Sequence, residues 1–214
     1  MSIALKAQSV SIAFGGVAAL EDVSINFPER EIIGIIGPNG AGKTTLLNVI
    51  CGMTPPDQGD IFLHDVSLNN MKPSDVASLG LRRTFQSSQL FPGMSVLENM
   101  MCGLHLMGTT KLFGAIFRSQ TMKDEEAEMR HRAIEALDFV GFKHFADRPG
   151  SALSFGQQRI IEIARTLIYE PKVVLLDEPA VGLSVTRVAE LETLLRRIRD
   201  ERGVTLIMIE HVIR

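Results

Sequence analysis

Cysteine is scarce in this chain. Two in 214 residues, Cys51 and Cys102, fit neither a disulfide framework nor a metal-ligand spacing, which points to a reduced compartment. Excess positive charge is also lacking. The 22 Lys and Arg against 25 Asp and Glu leave a net charge of −3, without the basic footprint expected of a nucleic-acid-binding domain. No apolar run approaches the roughly 20 residues that would span a bilayer. The opening "MSIALKAQSVSIAF" lacks the charged flank and continuous apolar stretch of a signal peptide. Such a chain is expected to visit a membrane only through a partner. There is no internal repeat and no low-complexity segment. What remains is a length and a 45% hydrophobic content that suit one globular domain with a sizeable core and room for a small subdomain.

Strand and helix patterns alternate along it. "VSINF" places Val23, Ile25 and Phe27 on one side, as a half-buried strand does. "EIIGIIG" from Glu31 is a short apolar run ending in Gly, which predicts a fully buried strand. "GKTTLLNVICG" reads as a helix closed by Gly52, "TPPDQGD" as a loop, and "IFLH" and "LRRTFQ" as strands. From Ser95 a capping box with Glu98 opens a further helix. "KDEEAEMRHRAIEALDFVGF" predicts a charged helix with an apolar stripe at Ile134, Leu137 and Phe139 or Val140. Residues 87–147 thus read as a helical insertion on a core made of 1–86 and 148–214. The core continues with the helix headed by Ser154, the strand "KVVLLD", a helix from Ser184 to about Glu201 and the strand "VTLIMIE". That last helix is amphipathic, with Val188, Leu191, Leu194, Leu195 and Ile198 on one face. Alternation of this kind predicts an α/β fold with a mainly parallel sheet flanked by helices.

"GPNGAGKT", Gly37 to Thr44, matches the phosphate-loop pattern and lies between a predicted strand and a predicted helix. Glycines let backbone N–H groups wrap phosphates, and the helix N-terminus adds partial positive charge. Gly37, Pro38, Asn39, Gly40, Ala41, Gly42, Lys43, Thr44 and Thr45 are therefore candidate nucleotide-binding residues. Lys43 would reach the β- and γ-phosphates and the Thr44 hydroxyl would ligand Mg²⁺. "VVLLDE" is an apolar strand ending in two carboxylates. Asp177 would hold the Mg²⁺, directly or through water, and Glu178 would polarise the attacking water.

The phosphate loop, Gln86 after a strand, "LSFGQQ", "LLDEP" and a late His211 after "LIMIE" stand in the order found in ATP-binding cassette (ABC) ATPases. The resemblance covers essentially the whole chain. It implies a phosphate-loop NTPase with a mainly parallel core sheet, N-terminal antiparallel strands and a helical subdomain, binding ATP and Mg²⁺. It also implies that two cassettes pair head to tail, the signature segment of each capping the ATP held by the other. Ser154, Gly156 and Gln157 would then face a γ-phosphate across the interface. An ordinary capping box of Ser154 with Gln157 can hold at the same time, but Gly156 is poor helix material and needs a close-approach reason.

By the same resemblance Gln86 contacts Mg²⁺ and the attacking water, His211 contacts the γ-phosphate, and Phe14 stacks on adenine. Phe14 reads equally well as a core residue. The chain departs from the family pattern in three places. Phe155 stands where the signature commonly has a second Gly, and Ser184 replaces an Asp. The chain also stops three residues after His211, as a truncated copy would. "FGGVAALEDVSINF", "LRRTFQSSQLFPGMSVLENM", "KLFGAIFR" and "DEPAVGL" look most like the ATPases of branched-chain amino-acid uptake systems, a branch with relatives handling urea and short amides. The resemblance implies an importer subunit on the cytoplasmic face of the inner membrane, partnered by integral membrane permeases, a second ATPase (the same or different) and, indirectly, a periplasmic binding protein. An exporter ATPase is the runner-up. Leu90, Phe91 and Met94 would dock a helix of the membrane subunit or tuck into the helical subdomain.

Overall fold

The structure is a computed structural model that describes residues 2–85, 90–104 and 120–210. It divides into two compact units, one of Met1–Gln86 with Tyr169–Arg214, the other Ser87–Ile168.

The first unit holds two sheets. Strands β1 (Ile3–Phe14) and β2 (Val17–Pro28) pair antiparallel through the two-residue link Gly15–Gly16, and β1 pairs on its other side with β4 (Gln58–Leu63), which pairs with β5 (Val66–Ser67). β2 alternates as its sequence predicts. Phe27 is fully buried, Val23 and Ile25 are half-buried, and Ser24 and Asn26 face water. The second sheet is parallel throughout, in the order β3 (Ile32–Ile36), β8 (Thr205–Glu210), β7 (Val173–Asp177), β6 (Leu81–Arg83). A parallel sheet needs crossovers, and helices supply them. Helix α1 (Lys43–Ile50) follows β3, and a long helix links β7 to β8. Short α2 (Pro73–Ser78) precedes β6, with Pro73 at its first position, where a missing N–H costs nothing.

Burial corrects two sequence readings. β7 is buried along its whole length, as a central strand should be, but β3 is only half-buried, with Gly34 and Ile36 exposed. An apolar run cannot reveal how many neighbours a strand has. Here β3 has one strand partner among the described residues, and Ile32, Gly34 and Ile36 line a groove of about 740 Å³ beside Met208, Leu191 and Leu195. Val188, expected on the buried face of the helix after Ser184, lines the same groove and is 37% exposed.

The second unit is helical. Helix α3 (Val96–Leu104) starts at the expected capping box: Glu98 Oε2 accepts from Ser95 N at 2.7 Å, and Ser95 Oγ accepts from Glu98 N at 3.2 Å. Helix α4 (Gln120–Phe139) buries Leu137, with Val140 just past its end also buried, as the expected stripe has it, while Ile134 and Phe139 are half-buried and Ala133 and Ala136 join the buried face. Helix α5 (Phe155–Leu167) packs on both α3 and α4, which carries the second unit past residue 147 to Ile168.

Candidate functional site

In a parallel sheet every strand ends on the same edge, and in open α/β sheets ligands gather outside the carboxyl ends. Here β3 runs into Gly37, β7 ends at Asp177 and β8 at Glu210. Register makes them neighbours: Ile36 lies opposite Glu210, and Asp177 opposite Ile209.

The loop from Gly37 turns into α1 at Gly42, whose φ of +83° is left-handed. No side chain caps this helix and no acidic residue sits in its first turn, so its leading N–H groups are left for an anion. Pro38, Asn39, Gly40, Ala41 and Thr44 are exposed, Gly37, Gly42 and Thr45 half-buried. The Lys43 ammonium is buried and folds back over the loop, donating to Gly37 O at 2.7 Å and Pro38 O at 2.8 Å. These are neutral acceptors, which a multiply charged phosphate outcompetes for a cation.

Asp177 is buried at the end of β7, and its Oδ2 accepts from Arg83 Nη2 at 2.8 Å. Arg83 donates its other terminal nitrogen to Asn48 Oδ1 at 2.6 Å, so one guanidinium joins β6, β7 and α1. Glu178 follows in a left-handed conformation, φ +49°, with its N–H on Ile209 O at 3.1 Å and its side chain buried. A non-Gly residue held there costs energy and is typical of functional turns. The next turn is fastened by Glu210, whose Oε1 accepts from Ala180 N at 3.2 Å. Beneath this cluster burial pushes the Cys51 thiol up to about 11. Phe14 stands 52% exposed at the end of β1, so it is not a core residue.

In the second unit Ser154 caps α5. Its Oγ accepts from Gln157 N at 3.4 Å, and Gln157 Oε1 accepts from Ser154 N at 2.8 Å. A hydroxyl that accepts still has its own O–H to donate. Ser154 is exposed, and Gly156 and Gln157 are half-buried. The loop ahead of α3 is organised by fully buried Asn99. Its Oδ1 accepts from Phe91 N at 2.6 Å, and its Nδ2 donates to the carbonyls of Phe91, Met94 and Ser95 at 3.0, 3.3 and 3.0 Å. That clamp leaves Phe91 52% and Met94 38% exposed, with Leu90 half-buried.

A family model described as ABC transporter matches residues 20–181. The chain belongs to this family. The ABC cassette is 37% identical over 207 residues to the high-affinity branched-chain amino acid transport ATP-binding protein LivG of Salmonella typhimurium, covering 97% of this chain and 81% of that one. It resembles the ADP conformation of an ATP-binding cassette of an ABC transporter with a TM-score of 0.86 at 31% identity, over all of this chain and 83% of the other. A dimeric cassette in a post-hydrolysis state bound to ADP and Pi matches with a TM-score of 0.77 at 27% identity, over 97% and 88%. As an ABC ATPase the chain binds nucleotide and hydrolyses ATP.

The ABC cassette therefore brings Lys43, Thr44, Asp177 and Glu178 to one edge of the parallel sheet, and carries Ser154, Gly156 and Gln157 on the other unit. Gln86 and His211 lie outside the described residues. Sequence reasoning missed Arg83, Asn48 and Asn99. Adjacent arginines on a strand point to opposite faces, so "LRRTF" signalled that at least one guanidinium enters the interior. Nothing local to Asn48 or Asn99 carried a comparable signal. No helix among the described residues is long and apolar enough to cross a membrane.

Proposed function

We propose that this chain is the ATP-hydrolysing subunit of an importer for branched-chain or related amino acids. Its similarity to amino-acid transport ATP-binding proteins over 97% of its length carries the reading. Lys43 leaves its two carbonyl acceptors for the β- and γ-phosphates, while the open N-terminus of α1 holds the phosphate oxygens. The Thr44 hydroxyl and Asp177 carboxylate are hard oxygen donors, and among the described residues no three His, Cys, Asp or Glu side chains form a metal cage. That donor set fits Mg²⁺ held largely through phosphates. Bound there, Mg²⁺ would offset the phosphate charge that develops as the γ-phosphate leaves. Glu178, buried next to Asp177, orients and polarises the attacking water; Gln86 would contact Mg²⁺ and that water, and His211 the γ-phosphate. Phe14, exposed as stacking requires, takes the adenine.

Two such cassettes pair head to tail, and Ser154, Gly156 and Gln157 of one close on the γ-phosphate of the other. The exposed Phe91 and Met94 dock a helix of the permease, since rigidly presented apolar residues mark partner surfaces. On this reading the chain works at the cytoplasmic face of the inner membrane, with a periplasmic binding protein supplying solute to the permease. Co-reconstitution with the adjacent permeases in vesicles tests the reading. It predicts ATP-dependent leucine uptake that Glu178→Gln abolishes. Uptake of another solute class, or outward transport, would refute it.

A further inference from the structure

A guanidinium facing a carboxylate usually takes both oxygens in a parallel fork. Arg83 does not. Its Nη2 donates to Asp177 Oδ2 at 2.8 Å, but its Nη1 is diverted to Asn48 Oδ1 at 2.6 Å. The ion pair is sealed, with both side chains 6% exposed, and the guanidinium also lies over the Phe85 ring at 5.3 Å. Oδ1 of Asp177 has no hydrogen-bond partner among the described residues. One oxygen of the carboxylate is thus spent and the other left for a ligand.

We propose that Arg83 sets the divalent-metal preference of this site, by occupying Oδ2 and restricting Asp177 to a single metal-facing oxygen, Oδ1. The inference rests on the reading of Asp177 as the metal carboxylate. Mg²⁺ demands compact octahedral geometry and takes carboxylates through one oxygen, while Ca²⁺ accepts six to eight oxygens and readily uses a carboxylate through both. A carboxylate with one oxygen locked by a buried cation suits the first ion and penalises the second. Asn48 is the residue that keeps the arrangement one-sided. Without it, Nη1 keeps a long contact to Met53 Sδ at 3.8 Å, too weak to stop it swinging onto Oδ1 and closing the fork.

Binding of a fluorescent ATP analogue to the full chain, titrated in Mg²⁺, in Ca²⁺ and in EDTA, reads this without turnover. The wild-type protein should bind more tightly with Mg²⁺ than with Ca²⁺. Arg83→Met frees Oδ2, and the ratio of the two dissociation constants should shrink about tenfold, the usual scale for losing a metal ligand's supporting partner. Arg83→Lys, which keeps one N–H on Oδ2, should restore most of the preference. Asn48→Ala should weaken the effect of both metals while leaving affinity in EDTA unchanged, and it serves if Arg83→Met does not fold. Asp177→Asn should reduce the metal effect to what Thr44 and the phosphates hold. If Asp177→Asn does so while Arg83→Met keeps the wild-type ratio, the proposal is overturned and the metal reading survives. If Asp177→Asn leaves the metal effect undiminished, the metal reading fails and the proposal with it. An unchanged metal effect in Asn48→Ala also overturns it.

Discussion

Two glycines of the phosphate loop have nearly the same backbone and different surroundings, which makes them a controlled pair. Gly40 has φ +81° and Gly42 φ +83°, both left-handed. A Cβ added at Gly40 meets nothing within 4 Å, whereas one at Gly42 would stand 2.3 Å from Ala19 O and 2.8 Å from Leu20 Cδ2. Forcing Ala into the left-handed region costs about 1–2 kcal/mol at either position. At Gly42 the close atom is backbone of β2, which cannot turn aside, so overpacking adds about 1–3 kcal/mol. Gly40→Ala is therefore expected to cost about 1–2 kcal/mol and Gly42→Ala about 2–5 kcal/mol, a large part of a typical domain's stability. Urea unfolding followed by circular dichroism measures both. Gly42→Ala should also lose nucleotide binding, because relief of the contact must move the start of α1. Equal destabilisation of the two variants would show that left-handed strain is the whole effect, and would refute the close-approach account of Gly42.

Other outcomes follow from the same geometry. Lys43→Ala should abolish tight ATP binding with little change in stability, since among the described residues its ammonium meets only the Gly37 and Pro38 carbonyls, and calorimetric titration reads this directly. Ser154→Ala removes the cap of α5 and should cost about 1 kcal/mol in urea unfolding. Native protein at pH 8 should be alkylated by iodoacetamide at half-buried Cys102 before buried Cys51, whose thiol is pushed up to about 11. Because the folded state holds that proton more tightly, the stability it contributes is complete below the ordinary thiol value of 9.0 and falls as pH rises through about 11. Unfolding midpoints across that window should decline, and Cys51→Ala should decline less.

What the sequence made legible was local. Both capping boxes, Ser95 with Glu98 and Ser154 with Gln157, involve partners three residues apart and appear in the structure as their spacing predicts. The phosphate loop was legible because a strand, a Gly-rich turn and a helix are consecutive in the chain. Burial of β3 was not, since it depends on a strand count that no apolar run encodes. The face of α4 was legible only in part: Leu137 and Val140 are buried as expected, but Ala133 and Ala136, buried with them, weigh little in a pattern of large apolar residues. The Arg83–Asp177 pair joins residues 94 apart in sequence, beyond the reach of any periodicity. Only the parallel register of β6 on β7, with Arg83 opposite Leu175, brings them together.

The central claim is that each ATP site is built from Lys43 and Glu178 of one cassette and the Ser154 helix of another. Mixing two damaged proteins tests it most directly. One carries Lys43→Ala and keeps its signature segment; the other carries Ser154→Ala with Gly156→Asp and keeps its phosphate loop. Each alone should be nearly inactive, because every site has one broken half. Mixed dimers contain one site with both halves sound, so steady-state phosphate release should recover part of the wild-type rate. A mixture as inactive as its components, together with a Ser154 crosslink that forms to the phosphate loop only within one chain, would contradict the account.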